Sequence, residues 1–141
     1  MRRVDPILDL YEESHKHPAN IKIHWLFEPL AIWAIIALIY SVSGALVLTG
    51  FLVVLLIYFA RLSVPIALDF VPVIAGFVWI VVLASLHWAV ALAIFAVCFV
   101  ALLGGHRIEG RSPAVFENPQ LIIVGPASLA RRVFRRLSIH Y

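Results

Sequence analysis

Side chains that can bind a metal ion occur in two clusters, one before and one after a long apolar region. The first cluster contains His15, His17 and His24, and the second contains His106 and Glu109. Imidazole and carboxylate groups without thiolate partners suit iron, zinc, manganese or copper, and two histidines with one carboxylate suit non-haem Fe(II). The sequence therefore offers His15, His24, His106 and Glu109 as candidate metal ligands, with His17 as a weaker candidate.

A second interpretation of these residues is open. Polar side chains at the edge of a bilayer also hydrogen-bond to head groups and water, and no spacing here is as specific as a zinc-finger or zincin motif. Glu28 follows His24 by one helical turn, so it is a candidate ligand, a hydrogen-bond partner of that histidine, or a residue that extends to the membrane surface. His87 lies within the second apolar run and is interpreted as an interfacial residue at the opposite membrane face.

The composition indicates one integral membrane domain, residues 1–141. Of the 141 residues, 63% are hydrophobic and 13% are charged, and the mean hydropathy is +1.01. Soluble domains are about 45–50% apolar and about 25% charged. The basic residues flank apolar segments and no nucleic-acid-binding motif is visible, so we expect anionic lipid head groups rather than nucleic acid as partners.

Helical signals divide the chain into segments that position the two clusters. Asp5-Pro6 begins an amphipathic helix, Pro18 ends it, and Asn20 can cap the helix that follows. Two uncharged runs are each long enough to fold back once, near residues 41–44 and 85–88. The predicted segments are an N-terminal amphipathic helix (5–16), a first hairpin (21–61), a second hairpin (70–104), and a polar loop with a basic C-terminal interfacial helix (105–141). We therefore predict an all-α membrane fold with four transmembrane, or deeply inserted hairpin, helices.

The distribution of charge predicts the side of the membrane on which the clusters lie. In this layout the lysines and arginines fall on one face, and the turns at 41–44 and 85–88 carry none. By the positive-inside rule that face is cytoplasmic, in a bacterial inner membrane or the endoplasmic reticulum, and it holds both termini and both clusters. The last helix is predicted to begin after Gly125-Pro126. Its basic face is expected to contact anionic head groups through Arg131, Arg132, Arg135 and Arg136.

The order and spacing of these motifs resemble a known family of small membrane proteins, the 2-hydroxy fatty acid dioxygenases, over roughly residues 7–127. The motifs are Tyr11-x-x-x-His15-x-x-x-x-Asn20-x-x-x-His24-x-x-x-x-Pro29, two apolar hairpins, and Gly105-His106 with a following Glu109 and Pro113-Ala114. The resemblance implies an Fe(II) enzyme of fatty acid α-oxidation that uses O2, without 2-oxoglutarate, to shorten a 2-hydroxy fatty acid by one carbon. It also implies His15, His24 and His106 as ligands and Asn20 as a catalytic helper or helix cap. In the family pattern the carboxylate lies one position further from the histidine than Glu109 does here.

The resemblance suggests how such a substrate would bind. A 2-hydroxy carboxylate can chelate Fe(II) through its carboxylate and hydroxyl oxygens and can itself supply the electrons. Arg107 or Arg111 is the candidate to hold the carboxylate through the planar guanidinium fork, with the alkyl tail among the helices. Two alternatives are a different metal-dependent lipid hydroxylase or hydrolase, and a non-catalytic membrane scaffold with interfacial histidines. An oligomer is compatible with each of these.

Overall fold

The computed structural model describes residues 5–113 and 120–136, and the regular structure within them is entirely helical. The five helices are α1 (Asp5–Glu13), α2 (Pro18–Leu62), α3 (Val64–Ala84), α4 (Trp88–Glu109) and α5 (Gln120–Arg136). The predicted all-α class is therefore confirmed. Residues 114–119 and 137–141, which belong to the predicted polar loop and C-terminal segment, lie outside the described residues.

Three of these helices, α2, α3 and α4, are long and apolar enough to cross a membrane. Many of their large apolar side chains are exposed, as suits contact with lipid; the most exposed are Val42, Leu46, Val54, Leu68, Trp79, Leu83, Val97 and Val100. An integral membrane protein is thus indicated. Four separate crossings are not shown, and they stay a prediction.

The two ends of α2 lie close to the same neighbours, so this helix must reverse direction within its length. Near its start Glu28 accepts a hydrogen bond from Tyr11 of α1, and near its end Phe59 packs in one apolar cluster with Leu8 of α1. A straight helix of 45 residues would be about 68 Å long. The reversal is at Gly44, where φ is 77° and ψ is −177°, a conformation that suits a residue without a side chain.

Helix α1 ends at Glu13, earlier than the predicted residue 16, because side chains occupy the carbonyl group of Tyr11. That oxygen accepts hydrogen bonds from Ser14 Oγ at 2.9 Å and from His15 Nδ1 at 2.7 Å. In a continued helix it would accept the amide of His15, which bonds instead to the carbonyl group of Glu12 at 3.2 Å. His15 therefore follows the helix, whereas the predicted helix 5–16 included it.

Helix α4 extends past the predicted boundary at residue 104, so His106 and Glu109 lie on a helix and not in a loop. It ends at Glu109 and is capped by Gly110, whose φ of 73° allows its amide to bond back to the last turn. Helix α5 begins at Gln120 and continues through Gly125-Pro126, where the sequence predicts an interruption. Packing of α5 against α1, α2 and α3 outweighs the low helix propensity of glycine and proline there.

Among the described residues, two apolar clusters hold the helices together. One joins α1, α2, α3 and α5 and consists of Leu8, Phe59, Ile66, Ala67, Val124, Ala127, Ala130 and Phe134. The other lies towards the reversal in α2 and consists of Ile36, Ala37, Leu48, Val81 and Ala91. Helix α2 packs most extensively against α4, and this contact brings the first turns of α2 beside the last turn of α4.

Candidate metal centre

Three histidines from three parts of the chain meet in the structure. His15 follows α1, His24 lies in the second turn of α2, and His106 lies in the last turns of α4. Their ring centroids are 4.3 Å (His15–His24), 4.7 Å (His15–His106) and 5.0 Å (His24–His106) apart, and all three side chains are buried. Each offers a nitrogen that is within 4.8 Å of the other two. This distance is short enough for one metal ion to bind all three.

Backbone carbonyl groups determine which nitrogen carries hydrogen on two of these rings. The Nδ1 atom of His15 bonds to the carbonyl oxygen of Tyr11 at 2.7 Å, and Nδ1 of His24 bonds to that of Asn20 at 3.1 Å. A carbonyl oxygen can only accept, so Nδ1 is the N–H and Nε2 keeps its lone pair. This arrangement, with one ring nitrogen donating to a carbonyl group, is typical of metal-binding histidines. In both cases the carbonyl group belongs to the residue four positions earlier, Tyr11 for His15 and Asn20 for His24.

Two buried nitrogens of the cluster fit a metal ion. Within the described part of the chain, Nε2 of His15 and Nδ1 of His106 have no hydrogen-bond partner. A buried polar atom without a partner costs roughly 1–3 kcal/mol, which a bound metal would offset. Burial lowers the pKa of His15 to about 4, so its imidazole is neutral at pH 7, the form that binds metals. The donor set therefore fits a divalent transition metal.

Tyr11 positions the ring of His15. Its ring stacks on that of His15 at a centroid distance of 4.0 Å and an interplanar angle of 12°. Its hydroxyl donates to a carboxylate oxygen of Glu28 at 2.9 Å. Burial, together with the nearby Glu28 charge, raises the pKa of Tyr11 well above its ordinary value, so the phenol keeps its proton and remains a donor. Glu28 thus contacts Tyr11 and stands outside the three-histidine group; Gly125 of α5 packs directly against this pair.

Glu109 joins α4 to the connection between α1 and α2. Its carboxylate accepts hydrogen bonds from the amide of Lys16 at 3.1 Å, the amide of His17 at 2.8 Å and Nδ2 of Asn20 at 3.2 Å. Asn20 is fully buried in the first turn of α2. The predicted helix cap at Asn20 is wrong, because α2 begins after His17 as N-cap. The three-histidine group does not include Glu109, and its role as a ligand stays a prediction. These contacts favour a role in holding the histidine-bearing segments together.

The other two histidines that the sequence raised cap helices. Nδ1 of His17 accepts a hydrogen bond from the amide of Ala19 at the start of α2, at 3.2 Å. Nδ1 of His87 accepts one from the amide of Ala89 at the start of α4, at 3.3 Å. Both side chains are exposed, and His87 lies at the opposite end of α4 from His106. Neither belongs to the cluster.

Comparison with known protein families supports the resemblance. Residues 1–137 match the sequence model of the family described as 2-hydroxy-palmitic acid dioxygenase Mpo1-like. The chain belongs to this family. No curated protein and no solved structure matches the chain. The matched range of the Mpo1-like family contains all three clustered histidines as well as Asn20 and Glu109.

The name of the Mpo1-like family refers to an enzyme that acts on a carboxylic acid. Cationic side chains near the histidines are therefore candidates to bind a carboxylate. Arg107 is exposed, and Arg111 is exposed and donates to the carbonyl oxygen of Glu13 at 3.3 Å. Neither lines the small cleft beside His15 and His24. That cleft is lined by Tyr11, His15, Ile21, His24, Ser128, Leu129 and Arg132.

Sequence reasoning assigned Arg132 to a lipid-facing surface and missed its place at this cleft. The sequence does indicate that Arg132 shares a helix face with Gly125, Ser128 and Leu129, because the four positions have the spacing of a single face.

Proposed function

We propose that this protein is an Fe(II)-dependent dioxygenase that shortens 2-hydroxy fatty acids by one carbon. The observation that carries the proposal is the buried cluster of His15, His24 and His106, with two rings oriented by backbone carbonyl groups, in a member of the Mpo1-like family. Three protein ligands leave positions open on an ion that prefers six, which suits an oxygen-dependent iron site. Iron is the proposed metal because imidazoles without thiolates suit it and because the reaction consumes O2.

The overall reaction is R–CH(OH)–COOH + O2 → R–COOH + CO2 + H2O. The C1–C2 bond breaks, C1 leaves as CO2, C2 is oxidised to a carboxylic acid, and O2 is reduced. All four electrons come from the substrate, so 2-oxoglutarate is not required. A bound Fe(II) ion would supply a chelation site for the hydroxy acid and a reducing centre for O2.

The residues of the chain would hold, orient and enclose the reactants. His15, His24 and His106 would bind the metal, while Tyr11 and Glu109 keep the segments that carry them in place. The cluster is buried, which limits access of water to the reaction. On the apolar side of the cleft, Ile21 and Leu129 would contact the first methylene groups of the tail, at about 0.8 kcal/mol for each buried methylene. Asn20 acts in this proposal as a positioning residue, since its side-chain amide donates to Glu109 and its backbone carbonyl group orients His24.

Metal content and turnover, measured together, test the proposal. Detergent-purified protein is loaded anaerobically with Fe(II), the metal is quantified by mass spectrometry, and 2-hydroxypalmitate is supplied with O2. We expect one iron per chain and formation of pentadecanoic acid. His→Asn variants at positions 15, 24 and 106 should lose both iron and activity. His87→Asn is the matched control, because asparagine also caps helices well and His87 lies outside the cluster.

The alternative functions predict different results in the same experiment. A hydrolase or another type of hydroxylase would retain zinc or two irons, and would leave the one-carbon shortening undetected. A scaffold would show equal metal content in the wild type and in the three cluster variants. Iron-loaded protein that leaves 2-hydroxypalmitate unchanged would refute the proposed substrate.

A further inference from the structure

One face of α5 covers the histidine cluster. Gly125 packs against Tyr11 and Glu28, and Ser128, Leu129 and Arg132 line the cleft beside the histidines. These α5 residues have the spacing i, i+3, i+4 and i+7, so they form one stripe along the helix. Arg132 is the cationic end of this stripe. It is half-buried, and its Nη2 donates to the carbonyl oxygen of His15 at 3.3 Å.

The neighbouring arginines of α5, Arg131 and Arg135, form ion pairs with carboxylates of α1. Arg131 is 3% exposed and forms ion pairs with Asp9 at 2.5 Å and Glu12 at 3.6 Å. Arg135 pairs with Glu12 at 3.3 Å. Among the described residues no carboxylate lies within 4.0 Å of the guanidinium group of Arg132. Within residues 5–113 and 120–136 its one hydrogen bond, to a carbonyl oxygen at 3.3 Å, leaves most of its five N–H groups for another acceptor.

We infer that Arg132 binds the carboxylate of the fatty acid substrate and selects acids over neutral lipids. This inference rests on the proposed function and replaces Arg107 and Arg111, which do not line the cleft. A guanidinium group matches a carboxylate through two parallel N–H···O bonds, and partial burial strengthens such bonds relative to those in water. The apolar side chains of Ile21 and Leu129, which line the same cleft, suit the start of an alkyl chain.

Direct binding measurements separate this role from the reaction itself. Tritiated 2-hydroxypalmitate is bound to the detergent-purified, Fe(II)-loaded protein without O2 and measured by scintillation proximity. Palmitate and hexadecane-1,2-diol serve as charged and neutral competitors. For Arg132→Gln we expect the Kd of 2-hydroxypalmitate and the inhibition constant of palmitate to rise roughly 10- to 100-fold. The inhibition constant of the diol should stay within about 2-fold of the wild-type value, since a neutral head group forms no ion pair with Arg132.

Two further variants serve as controls, and the iron content of each variant is measured. Arg132→Lys keeps the charge but lacks the planar fork, so its affinity for the acid should lie between those of the wild type and Arg132→Gln. Arg136→Gln changes an exposed arginine of the same helix and should bind like the wild type. Each variant should retain one iron per chain.

The outcomes distinguish failure of the inference from failure of the proposed function. Unchanged affinity for the acid in Arg132→Gln would overturn the inference, and so would an equal loss of affinity for the acid and the diol. Selective loss of acid binding in Arg132→Gln supports the inference. If the wild type also binds the acid without converting it once O2 is added, the proposed reaction fails and the carboxylate site stands.

Discussion

Alanine is predicted to have opposite effects at the adjacent glycines Gly104 and Gly105 of α4. A Cβ at Gly105 would overlap Oδ1 of Asn20 and would lie 3.3 Å from its Cγ and 3.4 Å from Cγ2 of Ile23. A Cβ at Gly104 meets no atom within 4 Å. Gly104→Ala is therefore a matched control, with the same substitution in the same helix and without the contact at the metal centre.

The expected free energies of unfolding follow from the contacts of Asn20. This side chain is fully buried, and its Nδ2 donates to Glu109 at 3.2 Å and to the carbonyl oxygen of Ser14 at 3.5 Å. Displacing it would break the hydrogen bond to the charged carboxylate, which would lower the free energy of unfolding by about 1.5–3 kcal/mol. The hydrogen bond at 3.5 Å contributes little to this free energy because it is long. Higher helix propensity of alanine contributes up to about 1 kcal/mol at either position. We expect Gly104→Ala to be stabilised by up to about 1 kcal/mol and Gly105→Ala to be destabilised by about 1–2 kcal/mol.

Tryptophan fluorescence during heating, in detergent, measures the difference. At this chain length the unfolding midpoint of Gly105→Ala should lie about 5–10 °C below that of Gly104→Ala. Gly105→Ala should also bind less than one iron per chain, because displacement of Asn20 disturbs the carbonyl group that orients His24. If Gly105→Ala unfolds at the same temperature as Gly104→Ala and binds a full complement of iron, the close contact of α2 and α4 at this site is refuted.

Three further predictions concern charged and titratable groups. Glu109→Gln should weaken binding of Co(II) by roughly 10- to 100-fold while leaving the positions of its visible absorption bands unchanged; shifted bands would instead identify Glu109 as a ligand. Asp9→Asn should lower the free energy of unfolding by about 1–2 kcal/mol, because it removes an ion-pair partner of buried Arg131. Glu13 is exposed, so Glu13→Gln is the control and should leave this free energy unchanged. Equal unfolding midpoints for the two variants would contradict the prediction. Burial lowers the pKa of His15 from about 6.5 in the unfolded chain to about 4 in the folded chain. The free energy of unfolding of the metal-free protein should therefore fall by up to about 3 kcal/mol as the pH falls from 6.5 to 4. A His15→Asn variant should show a flatter pH profile of the unfolding midpoint.

The features that could be predicted from the sequence depend on local geometry. A reversal near Gly44 was predictable because glycine and serine interrupt an uncharged run that is too long for one crossing. The convergence of His15, His24 and His106 agrees with the two fold-backs that the sequence predicts near residues 41–44 and 85–88. The hydrogen bonds of the His15 and His24 rings to the carbonyl group four residues earlier are likewise a local property of the backbone.

The roles of Glu109 and of the arginines depend on long-range packing. A carboxylate three residues after His106 is chemically as suitable for a metal as for an amide, and the sequence does not distinguish these uses. In the structure Glu109 accepts hydrogen bonds from the amides of Lys16 and His17, which precede it by more than ninety residues in the chain. The position of Arg111 is set in the same way, by its contact with the end of α1.

Acidic residues on α1 determine which arginine of α5 is left for a substrate. Successive residues of a helix differ by about 100° in direction, so adjacent arginines reach different neighbours. Asp9 and Glu12 pair with Arg131 and Arg135, and these ion pairs hold α5 in an orientation that brings Arg132 to the cleft. With His15 neutral, the cleft then carries the positive charge of Arg132, to which a bound divalent metal would add. Such a site favours an anionic ligand, and the carboxylate of a 2-hydroxy acid would supply that charge next to the group that is to be oxidised.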